Sequence, residues 1–126
     1  MSTVTSPIDV ALAYHRAWTA GDMDAAMTYV ADDVVFDAPA GTLTGAAALR
    51  GFMAPFAASL TSARLLAAHG GEQDALIMHD TATPAVASAP GAELYTVRGG
   101  RIVAGRIIFD RLPFALARGD VTPRLD

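Results

Sequence analysis

The stretch Glu93-Leu-Tyr-Thr-Val-Arg-Gly-Gly-Arg-Ile-Val-Ala-Gly-Arg-Ile-Ile-Phe-Asp110 decides the fold, because it holds two apolar runs joined at Gly99-Gly100. Two adjacent glycines between such runs indicate a two-residue hairpin, since both turn positions need a positive φ that glycine adopts without strain. An acidic residue stands at each end of the stretch. The segment therefore predicts an antiparallel strand pair with a carboxylate at each open end.

Upstream of this hairpin, the chain contains start and stop signals for two helices. Ser6 and Pro7 match an N-cap and a first helical position, and Gly21 matches the residue that follows a helix. Asp22 is suited to cap a second, shorter helix that reaches about Val30. Both helices are expected to precede the first strand.

The middle of the chain predicts a strand, a third helix and a second hairpin. Residues 34–38 are β-branched and aromatic and stop at a proline, which is typical of a strand. Thr44 is expected to cap a helix over about 45–59, and strand-like segments follow at 62–69 and 75–83. These elements predict an α+β fold in which a curved sheet folds over helices and encloses a pocket.

Length and composition indicate the number of domains and exclude one class of partner. The chain has 126 residues, of which 52% are hydrophobic and 17% charged, so we expect a single domain over residues 1–126 with a substantial core. The net charge is -4 and the nine cationic residues are scattered arginines. Without a basic stripe, nucleic acid is not an expected partner.

Residue types also bear on cofactors and location. Cysteine is absent and the three histidines lack the spacing of metal ligands, so neither a metal nor another cofactor is expected. No apolar run approaches ~20 residues, and the N-terminus lacks a basic flank followed by an apolar run. We therefore expect a cytoplasmic protein without a membrane partner.

Short motifs add a resemblance to this pattern. They are Ala20-Gly-Asp22 after the first helix, residues 31–39 followed by Gly41 and Gly45, and residues 98–110. In this order they resemble the nuclear transport factor 2-like superfamily, and within it the SnoaL-like group of polyketide cyclases and relatives of ketosteroid isomerase and limonene-epoxide hydrolase. The resemblance covers nearly the whole chain. It implies a cone-shaped, curved sheet, mixed or antiparallel, wrapped over three helices from the N-terminal half.

The resemblance also implies candidate catalytic residues. Tyr14 stands where ketosteroid isomerases carry a tyrosine that donates to a developing oxyanion, and Glu93 stands where they keep a protonated acid. Asp37 matches a polar residue that helps hold the attacking water in the epoxide-hydrolase relatives. Asp80 matches the first of the two acids in those relatives.

Strand periodicity leaves the orientation of these acids open. His79 and Asp80 are adjacent, so only one of them points into the pocket. Asp37 could instead stabilise the turn at 41–44, Asp80 could be an edge-strand charge, and Glu93 could be an exposed charge at a strand end. In general, a carboxyl group held among apolar walls exchanges protons closer to neutral pH than an exposed one.

Large apolar side chains are expected to form the walls of the pocket. Such walls favour a small apolar molecule as the ligand. The predicted lining residues are Trp18, Phe36, Met53, Phe56, Met78, Tyr95, Ile107 and Phe109.

Two functions remain open on this basis. The first is a cofactor-independent acid–base enzyme, of isomerase, cyclase, dehydratase or epoxide hydrolase type, acting on a small apolar carbonyl or polyketide-like compound. The second is a non-catalytic small-molecule-binding or dimerisation module, because Ala38 and Ile107 occupy positions where the enzymes of the group carry acids.

The final strands also predict the assembly of the protein. They are apolar on both faces, and the mean hydropathy of the chain is +0.34. Three short helices cover only one face of a sheet. We therefore expect a homodimer formed through the other face.

Overall fold

Helices and strands occupy most of the chain in the computed structural model, which describes residues 6–124. The expectation that the N-terminus lacks a basic flank followed by an apolar run concerns residues that lie partly outside this range. No helix within it is both long and apolar enough to cross a membrane. The elements are α1 (Pro7–Thr19), α2 (Met23–Met27), β1 (Val30–Ala38), β2 (Gly41–Thr44), α3 (Ala46–Ser59), β3 (Ser62–Gly70), β4 (Asp74–Ala82), β5 (Ala89–Arg98), β6 (Arg101–Phe109) and α4 (Leu112–Arg118).

The strands form one mixed sheet in the order β2-β1-β6-β5-β4-β3. Strand β1 runs parallel to β6, and the other neighbouring strands are antiparallel. The turn between β5 and β6 has φ of 59° at Gly99 and 76° at Gly100, as a tight hairpin requires. The sheet does not close on itself, and the prediction of an α+β fold with a mixed sheet is confirmed.

The N-terminal helices begin where the sequence indicates. The Ser6 hydroxyl accepts a hydrogen bond from the Asp9 amide at 3.4 Å, and Pro7 starts α1. Gly21 has a φ of 83° directly after the end of that helix. The Asp22 carboxylate then accepts from the Ala25 amide at 3.0 Å and caps α2.

Two boundaries differ from the sequence prediction, for the same physical reason. Helix α2 ends at Met27 because Val30 already pairs with Ile102 in the sheet. Residues 41–44 form strand β2, which pairs with β1, so the helix that follows starts after Gly45 without a side-chain cap. In both places long-range strand pairing overrides a local signal.

Helices α1 and α3 cover one face of the sheet, here called the inner face, and the other is the outer face. The core lies between the helices and the inner face. Its largest fully buried side chains include Trp18 and Tyr14 from α1, Leu49 from α3, and Phe36 and Tyr95 from the sheet. The fold therefore brings α1 directly against the middle strands.

The C-terminal segment forms a fourth helix. Helix α4 spans Leu112–Arg118 and ends at Gly119, whose φ is 78°. The Phe114 ring packs edge-on against Phe109 at a centroid distance of 5.6 Å and against Phe56 at 6.1 Å. These aromatic contacts hold α4 over the end of the sheet.

Candidate active site

A cavity of about 260 Å³ lies between the inner face, α3 and α4. Its lining is mostly apolar, with a small number of polar side chains. The volume exceeds the ~150 Å³ of an engineered cavity that binds benzene and falls just below the ~300–1,000 Å³ usual for drug-sized ligands. The space suits a small organic molecule.

Five of the eight predicted wall residues line this cavity: Trp18, Met53, Phe56, Ile107 and Phe109. The other three are corrections. Phe36 and Tyr95 are fully buried in the core and do not reach the cavity lining. Met78 is 45% exposed on the outer face, because its neighbours Ile77 and His79 take the inward positions of β4.

Asp37 lies on the outer face, so the prediction that it acts inside the pocket is wrong. Phe36 takes the inward position, and strand alternation turns the next side chain outward. The Asp37 carboxylate accepts a hydrogen bond from the Thr42 hydroxyl at 3.2 Å and pairs with Arg106 at 3.2 Å. It stabilises the β1–β2 turn, which is the alternative that the sequence left open.

Asp80 is also turned away from the cavity. Its carboxylate accepts hydrogen bonds from the Ser88 hydroxyl at 2.9 Å and the Ala89 amide at 3.0 Å. These bonds tie down the connection between β4 and β5, which is a structural role. A catalytic role for Asp80 in the cavity is therefore contradicted, and His79 is the inward member of the pair.

Glu93 and His79 form a buried acid–base pair in the cavity lining. Glu93 Oε2 lies 3.0 Å from His79 Nε2, and the two side chains are 2% and 8% exposed. They project diagonally from neighbouring strands, since Glu93 pairs with Ile77 and His79 pairs with Gly91. The alternative of an exposed strand-end charge at Glu93 is excluded.

Gly91 lies against the imidazole of this pair. A Cβ atom at position 91 would stand 3.4 Å from His79 Cε1 and 3.3 Å from the Ile108 carbonyl oxygen. A side chain at position 91 would therefore touch the His79 ring at ordinary contact distance and would crowd the Ile108 carbonyl slightly.

Tyr14 is buried behind the cavity and does not line it. Its ring packs edge-on against Tyr95 at 5.7 Å. Burial, and after it the charge of Glu93, raises the pKa of both phenols well above the usual value. The predicted direct contact between Tyr14 and a substrate is thus contradicted, and both tyrosines stay neutral donors near Glu93.

His15 and Trp18 complete the surroundings of the pair from helix α1. The His15 ring lies 5.3 Å from His79 and 5.5 Å from Trp18, and Trp18 lies 5.8 Å from His79. Burial, followed by the neighbouring His79, lowers the pKa of His15 to about 4. His15 is therefore part of the buried surroundings of the pair, with an exposure of 4%.

Several buried polar atoms of this cluster have no hydrogen-bond partner within residues 6–124. Each such atom costs on the order of 1–3 kcal/mol, so a core that served packing alone would avoid them. They concentrate around Glu93 and its neighbours, which is typical of a functional site. The atoms are Tyr14 Oη, His15 Nδ1, Trp18 Nε1 and His79 Nδ1, while Tyr95 lies near enough to Glu93 for a hydrogen bond to contribute to its raised pKa.

Comparison with known families shows which family has this architecture. A SnoaL-like domain profile matches residues 11–105, which is most of the chain and includes both members of the buried pair. The chain belongs to the SnoaL-like family. The resemblance expected from its short motifs is confirmed.

Solved structures of SnoaL-like and related folds agree. A protein from Kribbella flavida DSM 17836 is 51% identical, with a TM-score of 0.88 over 94% of this chain and 97% of its own. A putative polyketide cyclase from Sinorhizobium meliloti shares the fold at 20% identity and TM-score 0.70, covering 79% of this chain and 94% of its own. A protein with a ketosteroid isomerase-like fold from Catenulispora acidiphila DSM 44928, solved in complex with trimethylamine, is 23% identical. Its TM-score is 0.73 over 94% of this chain and 100% of its own.

No curated protein matches the chain. The last two likenesses are below a quarter identity and show the fold alone.

Proposed function

We propose that this SnoaL-like protein is a cofactor-independent acid–base enzyme that moves a proton on a small, largely apolar carbonyl or polyketide-like compound. The observation that carries the proposal is the Glu93–His79 pair, 3.0 Å apart, in the lining of an apolar cavity. Isomerisation, cyclisation, dehydration and epoxide opening all need such a proton transfer. The family resemblance supports the same reaction classes.

The hydrogen bond between Glu93 and His79 helps the pair to accept or release a proton during the reaction. This hydrogen bond already holds one proton between Glu93 Oε2 and His79 Nε2, so a proton taken from the substrate is received on the other carboxyl oxygen, Glu93 Oε1. In this scheme the pair removes a proton next to the substrate carbonyl and returns it to another atom. Asp37 and Asp80, which the resemblance implies as catalytic residues, have no part in this scheme because they lie outside the cavity.

The negative charge that develops on the carbonyl oxygen needs a donor. Trp18 lines the cavity, and its indole N–H has no partner within the described residues. We assign this N–H as the donor to the oxygen, which requires the indole ring to move towards the cavity because Nε1 is itself buried. Tyr14 and Tyr95 do not line the cavity and remain neutral phenols close to Glu93.

Exchange of the α-hydrogens of cyclohexanone in D2O tests the proposal, because it reports proton abstraction next to a carbonyl. Wild-type protein is expected to accelerate deuterium uptake, measured by NMR. Glu93→Gln and His79→Gln should each lower the enzymatic rate by about 10²–10⁴, the usual contribution of general acid–base catalysis.

Asp37→Asn and Asp80→Asn are the matched controls, since they remove a carboxylate from the same sheet outside the cavity. Both should keep the wild-type rate. A Glu93→Gln variant that folds and exchanges as fast as the wild type would contradict the assignment.

The second candidate is a non-catalytic module that binds a small molecule in the same cavity. It is favoured by the position of Asp37 and Asp80, two of the three acids that the resemblance implies, outside the cavity. Quenching of Trp18 fluorescence by cyclohexanone without exchange above the buffer rate would support this function over the enzyme.

A further inference from the structure

Helix α4 presents a charged and aromatic face to the opening of the cavity. Arg111, Phe114 and Arg118 follow one another at spacings of three and four, which places them on the same side of a helix. All three line the cavity, and both arginines are exposed. Because they are exposed and also line the cavity, we place both arginines at its opening.

The guanidinium groups at this opening are available to a ligand. Within residues 6–124, Arg111 takes part in no ion pair. Arg118 uses Nε to bind the Asp120 carboxylate at 2.8 Å, which leaves the donors on its two terminal nitrogens. At the inner end of the same cavity lies the carboxylate of Glu93. The cavity thus has positive charge at its opening and an acidic group at its base.

We propose that the ligand is a small amphipathic carboxylate, bound with its anionic group at Arg111 and Arg118 and its apolar body inside the cavity. Its reacting end then lies against Glu93 and His79. Because this concerns the same cavity, it rests on the proposed function and adds the charge and orientation of the substrate.

The apolar base of the cavity disfavours the reverse orientation. A ligand carboxylate there would lose its hydration among apolar side chains and would lie beside a second carboxyl group, that of Glu93. At the opening, the planar fork of an arginine matches the two oxygens of a carboxylate. A neutral amide of the same shape can accept a hydrogen bond from an arginine but lacks the stronger, charge-assisted pairing of a carboxylate.

Fluorescence of Trp18 provides a direct binding test, since it is the sole tryptophan of the chain and lines the cavity. The probes are cyclohexanecarboxylate and its neutral isostere cyclohexanecarboxamide, titrated near neutral pH. The carboxylate should bind more tightly. Arg111→Gln and Arg118→Gln should each weaken its binding by about two- to fivefold, as expected for exposed ion pairs, and leave the carboxamide unaffected.

Arg101→Gln is the matched control, because Arg101 is an exposed arginine beside the β5–β6 turn and does not line the cavity. It should leave the binding of both probes unchanged. Added salt should reduce the preference for the carboxylate in the wild type.

The outcomes separate the two proposals. Equal binding of both probes to the wild type overturns the carboxylate inference and leaves the acid–base function standing. A loss at Arg101→Gln as large as at Arg111→Gln also overturns it, since the effect would then be one of net charge. Absence of binding by either probe counts against both.

Discussion

His15 is a buried imidazole that makes the stability of the fold depend on pH. Its pKa is lowered to about 4 from 6.5, first by burial and then by His79 and Arg16, while Glu93 opposes the shift. Between these values the unfolded chain binds a proton that the folded chain does not. The free energy of unfolding should therefore fall as the pH drops from about 6.5 towards about 4, and this contribution should level off below.

The His15→Gln variant removes the titration and nearly keeps the side-chain size. We expect the pH slope of the urea midpoint over this window to be shallower in the variant than in the wild type. Carboxylates that titrate in the same window cancel in the difference between the two proteins. Equal slopes would show that His15 is protonated in the folded state.

Single residues of the site were only partly predictable from sequence. Both faces of β4 are apolar, so alternation could not choose between His79 and Asp80. His15 had a readable signal, because it lies four residues after Ala11 and three before Trp18, both buried. Asp37 was misassigned because an acid inside an apolar run looks functional, whereas it only occupies an outward position of β1.

At the scale of secondary structure elements, strands β1 and β6 pack closely because β6 has a glycine where the Phe36 ring of β1 lies. Gly105 pairs with Phe36 on one side and Tyr95 on the other, and a Cβ atom there would stand 2.5 Å from Phe36 Cζ and 2.8 Å from Cδ2. A ring in the core cannot move aside without leaving a void. Gly105→Ala should therefore lower the free energy of unfolding by about 1–3 kcal/mol, the usual cost of overpacking.

Gly51→Ala is the matched control. Chemical denaturation measures the free energy of unfolding of both variants. Gly51 lies inside α3, and a Cβ atom there meets nothing within 4 Å. This change should stabilise the protein by about 0.5–1 kcal/mol, because alanine has less backbone freedom to lose in a helix. If Gly105→Ala were as stable as Gly51→Ala, the tight contact with Phe36 would be wrong.

Elements with complete local signals were predictable. The caps of α1 and the Gly99-Gly100 turn depend on neighbouring residues alone, and they lie where the sequence indicates. Strand β2 and the first half of β1 were missed, because they exist through pairing with distant strands. The extent of α4 depends on Phe114, whose partners lie in α3 and β6.

For the whole molecule, the outer face carries a continuous apolar patch, and we propose that two copies join through it. Leu94 pairs with Leu76 in the strand register, and Met78 and Ile108 both pair with Ala92. The large side chains among them are 42–60% exposed. Apolar patches of this kind mark association sites on soluble proteins.

Light scattering at micromolar concentration should report a dimer for the wild type and a monomer for Leu94→Asp, since a charge at the centre of an apolar interface is desolvated without a partner. Leu116→Asp is the control, because Leu116 is exposed on α4, away from the outer face. A monomeric wild type, or a dimer that persists in Leu94→Asp, would refute this assembly.

The parallel pairing of β1 with β6 has a consequence for biosynthesis. Val35 lies beside Ala104 in the register, so strand β1 cannot complete its hydrogen bonds until strand β6 has also left the ribosome. Closing so long a loop is entropically slow, while the β5–β6 hairpin can form at once. During translation the nascent segment that contains β1 therefore waits with an unpaired edge, and this interval is when chaperones would protect the chain from aggregation.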